Sequence, residues 1–142
     1  MEVSDVLSSK ILKTGDKIEV NGWLVDMADG LYILGDHYPE DYDFPEKIRV
    51  VNGNIMYQIL RRVSSLVGGK SKLFYKTIAK GYFVGEDRVG IVVDELYTQD
   101  NRNIKELFRV ELNQKVEDAF VVAQGDYQFG IQKSSMRDWL DD

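Results

Sequence analysis

The stretch Asp16 to Gly35, DKIEVNGWLVDMADGLYILG, reads as two strands around a tight turn. Ile18, Val20, Gly22 and Leu24 alternate with Glu19, Asn21, Trp23 and Val25, the period of a strand with two unlike faces. Asp29-Gly30 supplies the turn, because glycine takes positive φ without steric cost, and Leu31 to Leu34 returns. Gly22 offers nothing to pack in mid-strand, so it marks a sharp bend or bulge. A first strand that must curl points to a small barrel, closed by the rest of the chain.

At 142 residues, the chain fits a single domain that can bury a core without staples. Residues 1–15 are read as an N-terminal helical segment, 16–97 as the barrel and 98–142 as a C-terminal α/β extension. The formal charge of −6 argues against a general nucleic-acid coat protein, whose affinity comes from neutralising phosphates. There is no cysteine, which removes disulfides, thiolate nucleophiles and cysteine zinc sites. MEVSDVLSSK lacks the basic start and apolar run of a secretory signal, and no apolar stretch is long enough to span a membrane. The expected setting is a reduced, cytoplasmic compartment.

Residues 4–12 read as a short helix capped by Ser4, with Val6, Leu7, Ile11 and Leu12 on one side. Residues 35–47, GDHYPEDYDFPEK, hold both prolines and five acids and form a loop before a strand from Ile48 to Val51. After the Asn52-Gly53 turn, Asn54 caps a helix carrying Met56, Ile59, Leu60 and Val63 at three-four spacing, which Gly68-Gly69 ends. Residues 72–84 form a long strand with Gly81 as a second bend, and Arg88 to Tyr97 returns it. Asn103 with Glu106 reads as a helix start, and Ile104, Leu107, Phe108, Leu112, Val116, Ala119, Phe120 and Ala123 continue a helical stripe. Phe120 to Val122 and Tyr127 to Gln132 read equally well as a hairpin, so the structure of 116–142 stays open. Ser134 to Leu140 suits a last short helix, with Trp139 docking on the body.

Up to residue 97 the order is strand, strand, strand, helix, strand, strand. With the bend glycines Gly22 and Gly81, this order resembles the OB fold, a five-stranded Greek-key barrel with a helix between its third and fourth strands. The expected class is therefore α+β or mainly β: a small OB-like β-barrel with a C-terminal α/β extension. What the resemblance implies for function is a surface that binds single-stranded nucleic acid, as many such barrels do.

Catalytic constellations are scarce. His37 is the single histidine, and it lies in the acidic loop, a poor support for a base that must be held in line. Zinc would need nitrogen or sulfur donors that the chain lacks. Val67-Gly68-Gly69-Lys70-Ser71 ends like a P-loop, but Ser64 stands where the first glycine should be, and a helix precedes where a strand is needed. No enzyme, metal or cofactor is expected.

Two charged stretches remain. Asp36, Glu40, Asp41, Asp43 and Glu46 interleave with Tyr38, Tyr42 and Phe44. Their spacing fits no EF-hand. It suits a partner-binding surface, with rings as anchors and acids steering a basic protein; the plainer reading is a solvated loop. Between 61 and 88, Arg61, Arg62, Lys70, Lys72, Lys76, Lys80 and Arg88 face only Glu86 and Asp87, a local charge of +5. Phe74, Lys76, Ile78, Lys80 and Tyr82 share one strand face, the mixture of rings and cations that a single strand would need. The plainer reading there is an outer face whose lysine stems cover its rings. Trp23 reads as core or rim rather than a stacking platform.

The expectation is a noncatalytic protein-binding domain, similar in charge and size to acidic immunity or antitoxin-type inhibitors that neutralise a basic toxic nuclease. The alternative is an OB-type single-stranded nucleic-acid module using Arg61, Arg62, Lys72, Phe74, Lys76, Lys80 and Tyr82.

Overall fold

A computed structural model describes residues 1–35, 46–63, 73–85, 88–99 and 106–129. They are mainly β. Strands β1 (Lys17–Met27), β2 (Gly30–Leu34), β3 (Lys47–Val50), β4 (Phe74–Val84), β5 (Gly90–Thr98) and β6 (Phe108–Val110) form one sheet, with helices α1 (Val3–Ser8), α2 (Met56–Arg62) and α3 (Gln114–Gln124). A 3-10 turn, Gly53–Ile55, leads into α2.

The strand pairings close a ring. β1 pairs antiparallel with both β2 and β4, β2 with β3, and β4 with β5. The circuit is completed by a parallel contact between β3 and β5, where Arg49 faces Gly90 and Val50 faces Ile91. It is short, but it is extended twice. The Val51 amide donates to the Ile91 carbonyl at 2.8 Å. The Asn52 side chain then stands in for a strand residue, donating to the Val93 carbonyl at 2.8 Å and accepting from the Val93 amide at 2.9 Å. β6 pairs with the far half of β5, outside the circuit.

The β1 alternation has the expected consequence. Ile18, Val20 and Leu24 point inward and join Ile33, Ile48, Ile91, Val93 and Leu96 in one core, onto which α2 packs Met56 and Ile59 and α1 packs Val3 and Val6. Gly22 permits a close approach rather than a bulge, for β1 pairs with β4 in unbroken register from Lys17 to Val25. A Cβ at Gly22 would lie 2.5 Å from the Leu34 carbonyl oxygen and 2.6 Å from Ile33 Cγ2. Gly81 does sit at a bulge: Lys80 pairs with Glu95 but Gly81 with Val93, and a Cβ there would collide with the Val92 carbonyl.

A second apolar cluster lies on the outward side. Val25, Tyr32 and Leu34 are buried there, with Trp23 and Met27 against them, so β1 and β2 are apolar on both faces at that end. Asp26 is buried in the same strand, and its carboxylate accepts the Leu73 amide at 2.8 Å, fastening the start of β4.

Several element boundaries differ from the sequence expectation. α1 begins at Val3 under a reciprocal bond between Glu2 and Asp5, not under Ser4, and it stops before Ile11, which is 84% exposed. α2 starts after Ile55 without a side-chain cap, because Asn54 turns away to accept the Tyr127 amide at 2.8 Å. It also ends at Arg62, well before Gly68-Gly69, with Val63 already extended. The helical stripe read from Ile104 is broken by β6, since Phe108 and Val110 alternate across a strand that pairs with β5. The helix begins only at Gln114, where Asn113 accepts the Lys115 and Val116 amides, and it continues through Phe120 to Val122, which settles the open choice there as helix. The proposed helix at 134–140 lies outside the described residues, as do Asn103 and Ile104.

Replacing Gly81 or Gly22 by alanine is expected to destabilise the fold by at least about 2 kcal/mol, because backbone must move to admit the new Cβ. Asn52→Ala leaves the Val93 peptide groups without their partner and is expected to cost about 1–3 kcal/mol. Urea unfolding checks all three, with Ile11→Ala as a reference at a side chain that is almost fully exposed.

Candidate functional site

The parallel pairing of β3 with β5 decides which turns become neighbours. Parallel strands start at the same end, so the β2–β3 connection and the β4–β5 connection leave the ring together. The first is closed at its stem by the Gly35 amide donating to the Glu46 carbonyl at 2.7 Å, beside the Leu34–Lys47 pair. The second springs from Val84 and returns at Gly90. Between these stems the sequence carries Asp36, Glu40, Asp41, Asp43 and Glu46 in one connection and Glu86 and Asp87 in the other. Of these acids only Glu46, half-buried, belongs to the described residues; Asp36, Tyr38, Glu40, Asp41, Tyr42, Asp43 and Phe44 lie outside them, as does His37.

The outward face of β4 is arranged differently. Lys76, Ile78, Lys80 and Tyr82 alternate with the buried Tyr75, Thr77, Ala79 and Phe83, so the shared outer face expected from the sequence exists. Its lysines already have partners. Lys80 Nζ lies 3.4 Å from Glu19 and 4.0 Å from Glu95, with the Tyr97 ring at 5.4 Å. Lys76 sits over Trp23 at 5.6 Å, and Lys17 over Tyr82 at 5.7 Å. Glu95 continues to Arg109 at 3.8 Å, and Arg109 to Glu111 at 4.0 Å. The result is a ladder of alternating charges, Glu19, Lys80, Glu95, Arg109 and Glu111, running from β1 across β4 and β5 to β6 and just beyond. Lys72 lies outside the described residues, as does the side chain of Phe74.

Arg61 and Arg62 are not on that face. They leave α2 toward β6 and α3, where Arg62 lies 4.1 Å from the Phe108 ring centroid and Arg61 5.6 Å from that of Phe120. With Gln58, Arg109, Val110, Glu111, Asn113 and Val116 they line a groove of about 390 Å³. A second hollow of about 490 Å³ continues it along α3, past Lys115, Ala119, Phe120 and Ala123. Of the basic residues read as one patch, Lys76 and Lys80 thus lie on the strand face and Arg61 and Arg62 at the groove, while Lys70 lies outside the described residues and Arg88 stands exposed before β5. Arg109 and Lys115 were missed in the sequence, because a single stripe was drawn through β6; the alternation Phe108-Arg109-Val110 and the cap Asn113 were the available signals.

The C-terminal end of α3 is pinned to the body. Tyr57 stacks on Phe120 at 5.0 Å and donates to the Gly125 carbonyl at 2.7 Å, while Asn54 donates to Asp126 at 3.0 Å. On β2, the Tyr32 hydroxyl donates to Asp29 at 2.8 Å, and Lys47 lies over its ring at 5.2 Å. Burial chiefly, then the Asp29 bond and charge, push the Tyr32 hydroxyl above the ordinary tyrosine value. Among the described residues, no group of three or more His, Cys, Asp or Glu is placed to hold a metal, and no helix is long and apolar enough to cross a membrane.

The folded chain holds the Tyr32 proton more tightly than the unfolded chain does. Its contribution to stability is therefore complete below the unfolded value of about 10 and is lost as pH rises through the higher folded value. Thermal melts of the wild type are expected to fall over that window, and those of Tyr32→Phe to fall less. Identical pH profiles would contradict the assignment. Compared with protein-family models, curated proteins and solved structures, the chain matches none.

Proposed function

We propose that this chain is a noncatalytic protein-binding domain whose acidic end engages a basic partner, in the manner of an immunity or antitoxin-type inhibitor of a toxic nuclease. The observation that carries the reading is the β3–β5 pairing, which sets the stems at Gly35–Glu46 and Val84–Gly90 at one end of the ring. Seven acids issue from those two connections, and Tyr38, Tyr42 and Phe44 stand among them as aromatic anchors. Acids carried on two connections whose stems share one end raise the rate of encounter with a basic protein, and rings supply the area that holds it.

The fold reading belongs with this proposal. The circuit β1-β2-β3-β5-β4, with α2 between the third and fourth strands, is what an OB-type barrel requires, and β6 with α3 forms the extension. In OB domains the outward face of the second and third strands takes single strands of nucleic acid. Here Tyr32 and Leu34 on β2 are buried, and the rings of Trp23, Tyr82 and Tyr97 lie under lysines. Among the described residues of this outer face few bare rings remain for bases to stack on, so the protein-binding reading is preferred to the nucleic-acid one.

Exchanging Asp41, Asp43 and Glu46 for their amides is expected to weaken binding of a basic protein recovered on the immobilised domain by about tenfold or more, chiefly through slower association and with reduced salt dependence. The check is surface plasmon resonance over a salt series. Unchanged binding by the triple variant contradicts the proposal. Tight binding of oligo-dT that collapses with salt and depends on Lys76 and Lys80 replaces it with the nucleic-acid alternative.

A further inference from the structure

The groove between α2, β6 and α3 is not used by the acidic-end reading. Arg61, Arg62, Arg109 and Lys115 converge on it from three elements, and among the described residues that line it Glu111 is the one acid. Arg109 is already shared between Glu95 and Glu111. Among the described residues, neither Arg61 nor Arg62 has a carboxylate at ion-pair distance, and both are exposed. One wall is aliphatic, formed by Val116, Ala119 and Ala123 on a helix that has no buried residue.

We propose that this groove is a second binding site, for an acidic peptide segment of a partner protein that carries apolar side chains among its carboxylates. The guanidinium groups of Arg61 and Arg62 lie against Phe120 and Phe108. Those contacts hold the planar forks in place and leave their N–H edges for carboxylate oxygens. The same contacts cover the two rings, so bases would find no platform there. A phosphate alone would satisfy the cations but leave the α3 wall empty. A peptide alternating Asp or Glu with Leu or Phe satisfies both walls, which is the helix-in-groove or extended-segment mode of recognition. The site does not depend on the acidic-end reading, since it lies on α2, β6 and α3 rather than on the connections that carry those acids.

The test uses fluorescence anisotropy of a labelled short peptide of Glu, Asp, Leu and Phe, its Gln/Asn counterpart, and labelled oligo-dT, against the full chain. The expected result is saturable binding of the acidic peptide alone, weakened about tenfold or more in Arg61→Glu/Arg62→Glu and unchanged in Lys13→Glu. Ala119→Glu, which sets a carboxylate on the exposed apolar wall, is expected to weaken it as well. Circular dichroism verifies that each variant is folded. Absence of peptide binding at low salt overturns the proposal, as does binding that ignores the arginine reversals. Tighter binding of oligo-dT, lost in the same double variant, overturns it in favour of nucleic acid. Concentration-dependent self-association abolished by that variant overturns it in favour of a second copy of the chain.

Discussion

Two backbone pairs and one asparagine close the sheet. β3 is four residues long, and its parallel contact with β5 spans only Arg49–Gly90 and Val50–Ile91. Without that contact the sheet would be an open one with β3 at its edge. With it, the edge is removed, the apolar inward faces of all five strands meet, and the helices can pack on what is left. Parallel pairing adds few bonds over so short a length, which explains the value of Asn52. Its amide copies both halves of a peptide group and extends the ladder to Val93, next to the bulge that bends β5.

The closure also distributes charge. One end of the ring carries the stems of the two acidic connections, while the arginines of α2 meet β6 and α3 at the groove. On the β4 face Lys80 is held by Glu19 and Glu95, while Lys76 and Lys17 lie over the Trp23 and Tyr82 rings. Exposed pairs of this kind contribute little to stability, with typical values below about 1 kcal/mol. Their effect here is on recognition, since they withdraw the cations that would otherwise attract phosphates.

How much of this was legible in the residues depends on whether the information was local. The alternation of Ile18, Val20 and Leu24, the returning strand and the element order through Tyr97 are written in period-two patterns and turn residues, and the folded chain follows them. Gly22 was legible as special but not for the right reason: what it accommodates is Leu34 of the neighbouring strand, and no single-strand pattern contains that neighbour. The end of α2 at Arg62 was hidden because Leu66 and Val67 prolong the helical spacing. β6 was hidden because three residues are too few to display a period, and a strand so short forms only where β5 offers it an edge. Arg61 and Arg62 were legible as basic residues, whereas their company, Arg109 and Lys115, depends on that same strand and on the start of α3.

Native-state hydrogen exchange tests the closure of the ring most directly. The Val51 and Val93 amides are bonded to the Ile91 carbonyl and to the Asn52 side chain, beside the Arg49–Gly90 and Val50–Ile91 pairs and the Arg49 amide, which donates to the Val89 carbonyl at 3.4 Å. The account requires both amides to exchange only through global unfolding, with the same free energy as the amides of β1 and β4 in the core of the sheet. Exchange of Val51 and Val93 at the rate of an open edge, while β1 and β4 stay protected, would contradict it, and the two acidic connections would lose the reason to stand together.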